Sequence, residues 1–361
     1  MGRTDGLTPG NDFGSTARPH QPTDRRALPP IGCSLCAVVP RITRIAVPTP
    51  FRIGPVNCWL IEGDSLALVD VGPNDPPSLM SLEASLSELG FRVADLDLLL
   101  LTHQHYDHMG LAAELRERSG ARVVAHEDMV PFLADGDASN DAEDEFAEAI
   151  MRIHGVAEPA IRHLREGAQR RWRLGCSCPV DTVVRDGDLV DLGGSAVRVH
   201  HRPGHSPTDT IFVDEETRTA FVGDHLLGRI SSNPILHRPV HGPADPARRP
   251  RTLVRYLDSM QRTAGMGLAR VHTGHGDPVD DVRGLVEARR LEHDERKERI
   301  YAIMEPGPLT AFEIAGVLWP RLPADQVYLG ICEVLGHIDL LADEGRVVEV
   351  EADGLVRLVR A

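Results

Sequence analysis

Aromatic residues and lysine are both scarce in this chain. Phe, Trp and Tyr make up 4% of its 361 residues, so the core must rest on Leu, Val, Ile and Ala. Lys297 is the only lysine. Arginine therefore carries nearly all the positive charge, a bias of composition rather than a functional signal. No apolar run approaches the ~20 residues of a membrane-spanning helix, and the N-terminus lacks the apolar stretch of a secretory signal. The six cysteines (Cys33, Cys36, Cys58, Cys176, Cys178 and Cys332) form no evenly spaced framework. A chain of this size needs no covalent staples, and a reduced, cytoplasmic setting is expected. Excess positive charge is also missing. The formal net charge of -15 argues against broad attraction to phosphate backbones and makes nucleic acid an unfavoured partner.

A hydrophobic fraction of 42% is enough for a sizeable core, and the length suggests a large domain with a smaller one. Residues 1–40, rich in Gly, Pro, Thr and Asp, read as a disordered tail. The Cys33–Cys36 pair within it has no second ligand pair close by. Order is expected from Ile42, where short strands alternate with helices in an α/β pattern. Residues 127–172 break that rhythm with two helices, the first acidic at its start and the second basic. A long Arg- and Pro-rich loop from Gly228 to Arg251 precedes helices at about 246–264 and 279–303. The last sixty residues read as helix, helix and a hairpin turned at Asp353–Gly354, a winged-helix pattern.

Histidine is concentrated in one place. The stretch LTHQHYDHMG (101–110) sets His103, His105, Asp107 and His108 directly after an apolar run, at the end of a strand where α/β folds place their sites. Imidazole and carboxylate are the ligands of Zn²⁺ and other borderline divalent metals. In an extended stretch His103 and His105 project to the same side and suit one ion. Asp107 and His108 lie one turn further on and suit a second. Three more candidates share one design of apolar strand, glycine and ligand: His205 in RPGHS, Asp224 in FVGDHLL and His275 in HTGHGDP. Glycine lets the backbone come close to an ion. His126, His200, His201, His225 and His272 sit beside these motifs and read as surface or supporting residues. Gln104 and Tyr106, between ligands, are expected to face away from the metals. Nothing marks Ser206 as an activated nucleophile.

HxHxDH at 103–108, followed in order by His205, Asp224 and His275, resembles the metallo-β-lactamase superfamily over about residues 42–280. The resemblance implies a four-layer αββα sandwich as a catalytic domain over 41–285, with the helical insertion at 127–172. A linker helix and a winged-helix-like domain would occupy 286–361. It also implies two divalent metal ions. His103, His105 and His205 would hold the first, Asp107, His108 and His275 the second, and Asp224 would bridge them. Asp70 of LVDVG would lie beneath the site as a hydrogen-bond acceptor. Zinc is the default metal, and iron or manganese fits the same donors. Two such ions lower the pKa of a shared water and supply hydroxide to an electrophilic carbon or phosphorus. Asp107, as the catalytic residue, would orient that nucleophile.

The ligands alone do not select a substrate. The unaltered ligand set resembles the glyoxalase II-like and ribonuclease Z-like branches more than the β-lactamases. Arg162, Arg165, Arg170, Arg171 and Arg173 in the insertion, with Arg229 and Arg238 in the loop after Asp224, suit an anionic small molecule such as an acyl thioester of glutathione or coenzyme A. The competing view is a solvated basic face paired with the acidic helix before it. The C-terminal region resembles the β-lactamase-like protein 2 family, which includes an endoribonuclease. Here it carries Glu333, Asp339, Asp343, Glu344, Glu349 and Glu351, a poor phosphate-binding face, so a structural or capping role is expected. The sequence thus points to a hydrolase of a small-molecule thioester, ester or lactone. A metal-dependent endoribonuclease is the alternative, and a homodimer is compatible with either.

Overall fold

Apolar alternation and turn residues set the elements, which the computed structural model describes for residues 40–361. Residues 1–39, which include the Cys33–Cys36 pair and nearly all of the expected tail, lie outside the described residues. Six strands form a first sheet in chain order: β1 (Arg41–Val47), β2 (Val56–Glu62), β3 (Leu66–Val69), β4 (Leu98–Leu100), β5 (Arg122–His126) and β6 (Thr182–Val184). β1 to β3 pair antiparallel and β3 to β6 parallel. The second sheet has the order β11-β10-β9-β8-β7, from β7 (Leu189–Asp191), β8 (Ala196–His201), β9 (Thr210–Asp214), β10 (Thr219–Gly223) and β11 (Arg270–Thr273). Its β10–β11 pair is parallel. β3 and β4 are buried along their whole length, as strands covered on both faces must be.

Three apolar layers hold the two sheets and their helices together. Trp59, Val69 and Leu100 of the first sheet meet Val199, Phe212 and Phe221 of the second. On the outer face of the first sheet, Leu60, Leu68 and Leu99 pack under α1 (Pro76–Glu88) and α3 (Ala112–Ser119) through Leu82, Leu86 and Leu115. On the outer face of the second, Ile211, Val213 and Val222 pack under α7 (Thr252–Ala264) and α8 (Val282–Ile303) through Leu253, Met260 and Val286. The result is a four-layer α/β/β/α sandwich. α1 starts where Asp75 accepts from the Ser78 amide and Pro76 opens the first turn. A single short turn, α2 (Tyr106–Met109), separates β4 from α3.

A fourth core lies outside the sandwich. The insertion holds α4 (Val130–Ala134), α5 (Gly136–Ile153) and α6 (Glu158–Trp172), one short helix more than expected. α8 is followed by α9 (Ala311–Leu318), α10 (Val327–Asp343) and a hairpin of β12 (Val347–Ala352) and β13 (Leu355–Arg360). Phe146 and Ile150 of α5, Ile161 of α6, Ile314 of α9, Ile338 of α10 and Leu358 of β13 share this core. The insertion and the C-terminal elements therefore bury each other's apolar faces, and the described residues belong to one compact unit. The helix expected from 246 begins instead at Thr252. Pro246–Arg248 make a separate short turn capped by Asp245. No described helix is long and apolar enough to cross a membrane.

Candidate metal centre

Five of the seven candidate ligands stand in the connections that follow strands, and Asp107 and His108 stand on the short turn α2 after the first two. His103, His105, Asp107 and His108 follow β4, His205 follows β8, Asp224 follows β10 and His275 follows β11. His103 Nε2 lies 3.1 Å from His105 Nδ1, which lies 3.0 Å from His205 Nε2. His275 Nε2 is 3.2 Å from Asp107 Oδ2, and Asp107, His108 and His275 form a second converging group. Asp224 stands between the two sets. Its Oδ1 is 3.4 Å from His108 Nε2, and its Oδ2 is 3.7 Å from His205 Nε2 and 3.6 Å from His275 Nε2.

These donors fit divalent cations. Ligands about 2.1 Å from a tetrahedral ion stand roughly 3.4 Å apart, which is the spacing seen here. His108 Nε2, Asp224 Oδ1 and His275 Nε2 are buried and have no hydrogen-bond partner, a costly condition for polar atoms unless something else engages them. The far nitrogens are fixed. His108 Nδ1 donates to Asp70 Oδ2 (2.7 Å), His205 Nδ1 to the Asn233 carbonyl (2.9 Å) and His275 Nδ1 to the Pro55 carbonyl (2.8 Å). Each bond sets a tautomer whose Nε2 lone pair points into the centre. Gly274 is a packing requirement, since a Cβ there would collide with the Asp224 carboxylate and stand 2.7 Å from His108 Cε1.

Charge is divided unevenly between the two sets. Burial and the neighbouring imidazoles push His103 and His105 well below the ordinary histidine range, so both stay neutral and able to ligate. Burial also opposes a charged His108, yet Asp224, Asp70 and Asp107 outweigh it and lift its pKa well above normal. Burial likewise opposes a charged His275, and Asp224 and Asp107 together outweigh it and raise its pKa. The second set thus carries carboxylate charge that calls for a positive partner.

Residues with supporting roles also fall into place. Asp70 is buried, with Oδ1 accepting from the Thr102 amide and Oδ2 from the Thr102 hydroxyl, both at 2.9 Å. Gln104 is buried. Its side-chain oxygen accepts from Ser206 Oγ (3.0 Å) and from the Thr208 hydroxyl. Tyr106 lines the cavity beside the centre and donates to Asn140 Oδ1 at 3.0 Å. His126, His225 and His272 are buried rather than superficial. His225 meets Thr263 (2.9 Å), and His272 stacks on Phe221. His237 and Glu143 are absent from the sequence expectation yet stand at the centre, with His237 Nε2 3.2 Å from His105 Nε2.

A cavity of about 990 Å³ is lined by His105, Asp107, His205 and Asp224 together with parts of α5, α6 and the loop after Asp224. Arg165, Arg170, Arg171 and Arg173 line its wall. Arg165 also pairs with Asp141 and Glu148, so part of the basic face does meet the acidic helix. Arg229 is not brought to the site. Its side chain is 85% exposed, and its guanidinium lies 3.6 Å from Asp277. Sharing a loop with cavity residues is not enough to face the cavity.

Comparison with known proteins agrees with this architecture. The family model described as the metallo-beta-lactamase superfamily matches residues 52–286. The probable metallo-hydrolase YqjP of Bacillus subtilis is 30% identical over 309 residues, covering 84% of this chain and 92% of that protein. A hydroxyacylglutathione hydrolase of Methylobacterium nodulans is 28% identical over 218 residues, 59% of this chain and 60% of that one. The crystal structure of a metallo-beta-lactamase family protein from Thermus thermophilus superposes with a TM-score of 0.73 at 30% identity, covering 89% of this chain and 98% of that one.

Proposed function

Because the chain belongs to the metallo-β-lactamase superfamily and is a metallo-hydrolase, we propose that it holds two divalent metal ions and cleaves a thioester, ester or lactone of an anionic small molecule. His103, His105 and His205 would hold one ion and Asp107, His108 and His275 the other, with Asp224 standing between the two sets. The observation that carries this reading is the convergence of seven donor side chains, three with orphaned buried atoms, beside a cavity of about 990 Å³ that four of them line. The likeness to a hydroxyacylglutathione hydrolase supports the thioester. Zinc is the ion we assign, from the histidine-rich donor set.

Bound divalent cations lower the pKa of water toward neutrality and polarise an oxygen on which charge develops. The protein supplies the rest. Asp107, at the cavity edge, accepts a hydrogen bond from the attacking water and orients it. Asp70 keeps His108 in one tautomer. Arg170, Arg171 and Arg173 offer planar donors to a carboxylate or phosphate of the substrate. Apolar side chains such as Phe51, Phe132 and Leu236 receive its uncharged part. Tyr328 and Leu329 of α10 also line the cavity, so we assign residues 286–361 a capping role over a catalytic domain at 41–285.

The test is turnover of acyl-glutathione, acyl-coenzyme A and lactone panels by zinc-loaded protein, beside single-stranded RNA. Hydrolysis of at least one small-molecule class is expected, with Asp107→Ala lowering kcat by about 10²–10⁴-fold, the usual worth of a general acid–base group. RNA cleavage lost in Asp107→Ala, with no small-molecule turnover, would overturn the proposal.

A further inference from the structure

His105 differs from its neighbours in what stands behind it. The second nitrogens of His103, His108, His205 and His275 meet a hydroxyl, a carboxylate or a carbonyl directly. His105 instead turns Nδ1 toward His103 and His205, while its Nε2 meets His237 Nε2 at 3.2 Å. His237 Nδ1 in turn lies 3.0 Å from Glu143 Oε2. Glu143 is held by Arg238, whose Nε is 3.2 Å from Oε1 and whose amide donates to Oε2 at 3.3 Å.

One arrangement of protons satisfies this chain with neutral imidazoles. A carboxylate only accepts, so His237 Nδ1 carries a proton and donates it. His237 Nε2 is then an acceptor, and His105 Nε2 must be the donor. That leaves the His105 Nδ1 lone pair facing the first donor set. We propose that Glu143 and His237 form a two-link support that fixes the tautomer and orientation of His105 and thereby sets the affinity of the first metal site. His237 acts through His105 and is a positioning residue.

The support comes from outside the sheets that supply the ligands. Glu143 belongs to α5 of the insertion, and His237 lies in the long loop after Asp224. Both also line the cavity. The wall that receives the substrate is therefore the wall that steadies a ligand, and reshaping it alters the metal centre as well as specificity.

The inference rests on the two-metal reading above, and chelator titration separates the two. Zinc-loaded wild-type protein is expected to hold two equivalents. His237→Ala is expected to release one of them at a chelator concentration about 10–100-fold lower, the usual effect of removing a ligand's supporting partner, and to keep the other. His237→Gln, whose amide oxygen can accept from His105 Nε2–H, is expected to recover much of the loss. Glu143→Gln keeps an acceptor and gives a smaller effect. A folded His237→Ala protein that keeps both equivalents with wild-type affinity, or loses both together, overturns the proposal. Wild-type protein that binds no zinc overturns the metal centre itself.

Discussion

Asp70 shows how one side chain organises the centre from beneath. It adopts φ +57°, a left-handed conformation that non-glycine residues rarely take. Such strain, of order 1–3 kcal/mol, persists where the surroundings over-determine it. Here its carboxylate accepts from Thr102 twice and from His108 Nδ1. Asp70→Asn replaces one acceptor with an amide that donates, and His108 then loses its fixed tautomer. We expect weaker binding of one zinc equivalent by about 10–100-fold in chelator competition, with secondary structure unchanged. Wild-type affinity would remove Asp70 from this role. The seven ligands are legible in sequence because they stand in fixed local patterns: HxHxDH directly after the apolar β4, and an apolar strand, a glycine and a ligand for His205, Asp224 and His275. His237 follows no strand, and Glu143 is one of several acids in DAEDEF. Their pairing exists only after α5 docks beside the loop. The one clue was a histidine in the loop following a ligand motif.

At the scale of elements, amphipathic spacing tells that α5, α6, α9 and α10 each bury a face but not against what. They bury against one another, which no local pattern encodes. The loop after Asp224 is tied into that arrangement by Arg249. Its guanidinium meets both oxygens of Asp339 on α10 at 2.8 Å and Glu349 of β12 at 2.7 Å. The Arg249 side chain is 6% exposed and that of Asp339 10%. Removing one partner of a buried pair leaves an uncompensated charge and costs about 3–5 kcal/mol. Arg249→Ala is therefore expected to lower stability by about that amount in urea unfolding. A change below about 0.5 kcal/mol, as for an ordinary surface position, would show that the pair does not anchor the loop. This acidic cluster on the C-terminal elements is what the sequence presents as a poor phosphate-binding face. Part of its charge is answered inside the protein by Arg249.

The whole molecule carries a record of its buried histidines in how stability depends on pH. Burial lowers the pKa of His154 to about 3, with Arg249 adding to the effect, and that of His272 to about 4, with Arg270 adding to it. Burial likewise brings His293 to about 4, although Glu333 pulls the other way. In the unfolded chain each imidazole takes a proton near its ordinary value of about 6.5. Between that pH and about 4 the unfolded state therefore binds protons that the folded state refuses. Stability must fall as pH falls through this window, by up to about 1.4 kcal/mol per pH unit for each such histidine. His154 is the cleanest probe, because it caps the C-terminal end of α5 and no candidate ligand is among the groups that shift it. Urea unfolding at pH 7, 6, 5 and 4.5 is expected to show declining stability in the wild type. In His154→Leu the decline should be shallower, whatever the variant's stability at pH 7. Equal slopes for the two proteins would mean that His154 takes up its proton in the folded state as readily as in the unfolded one.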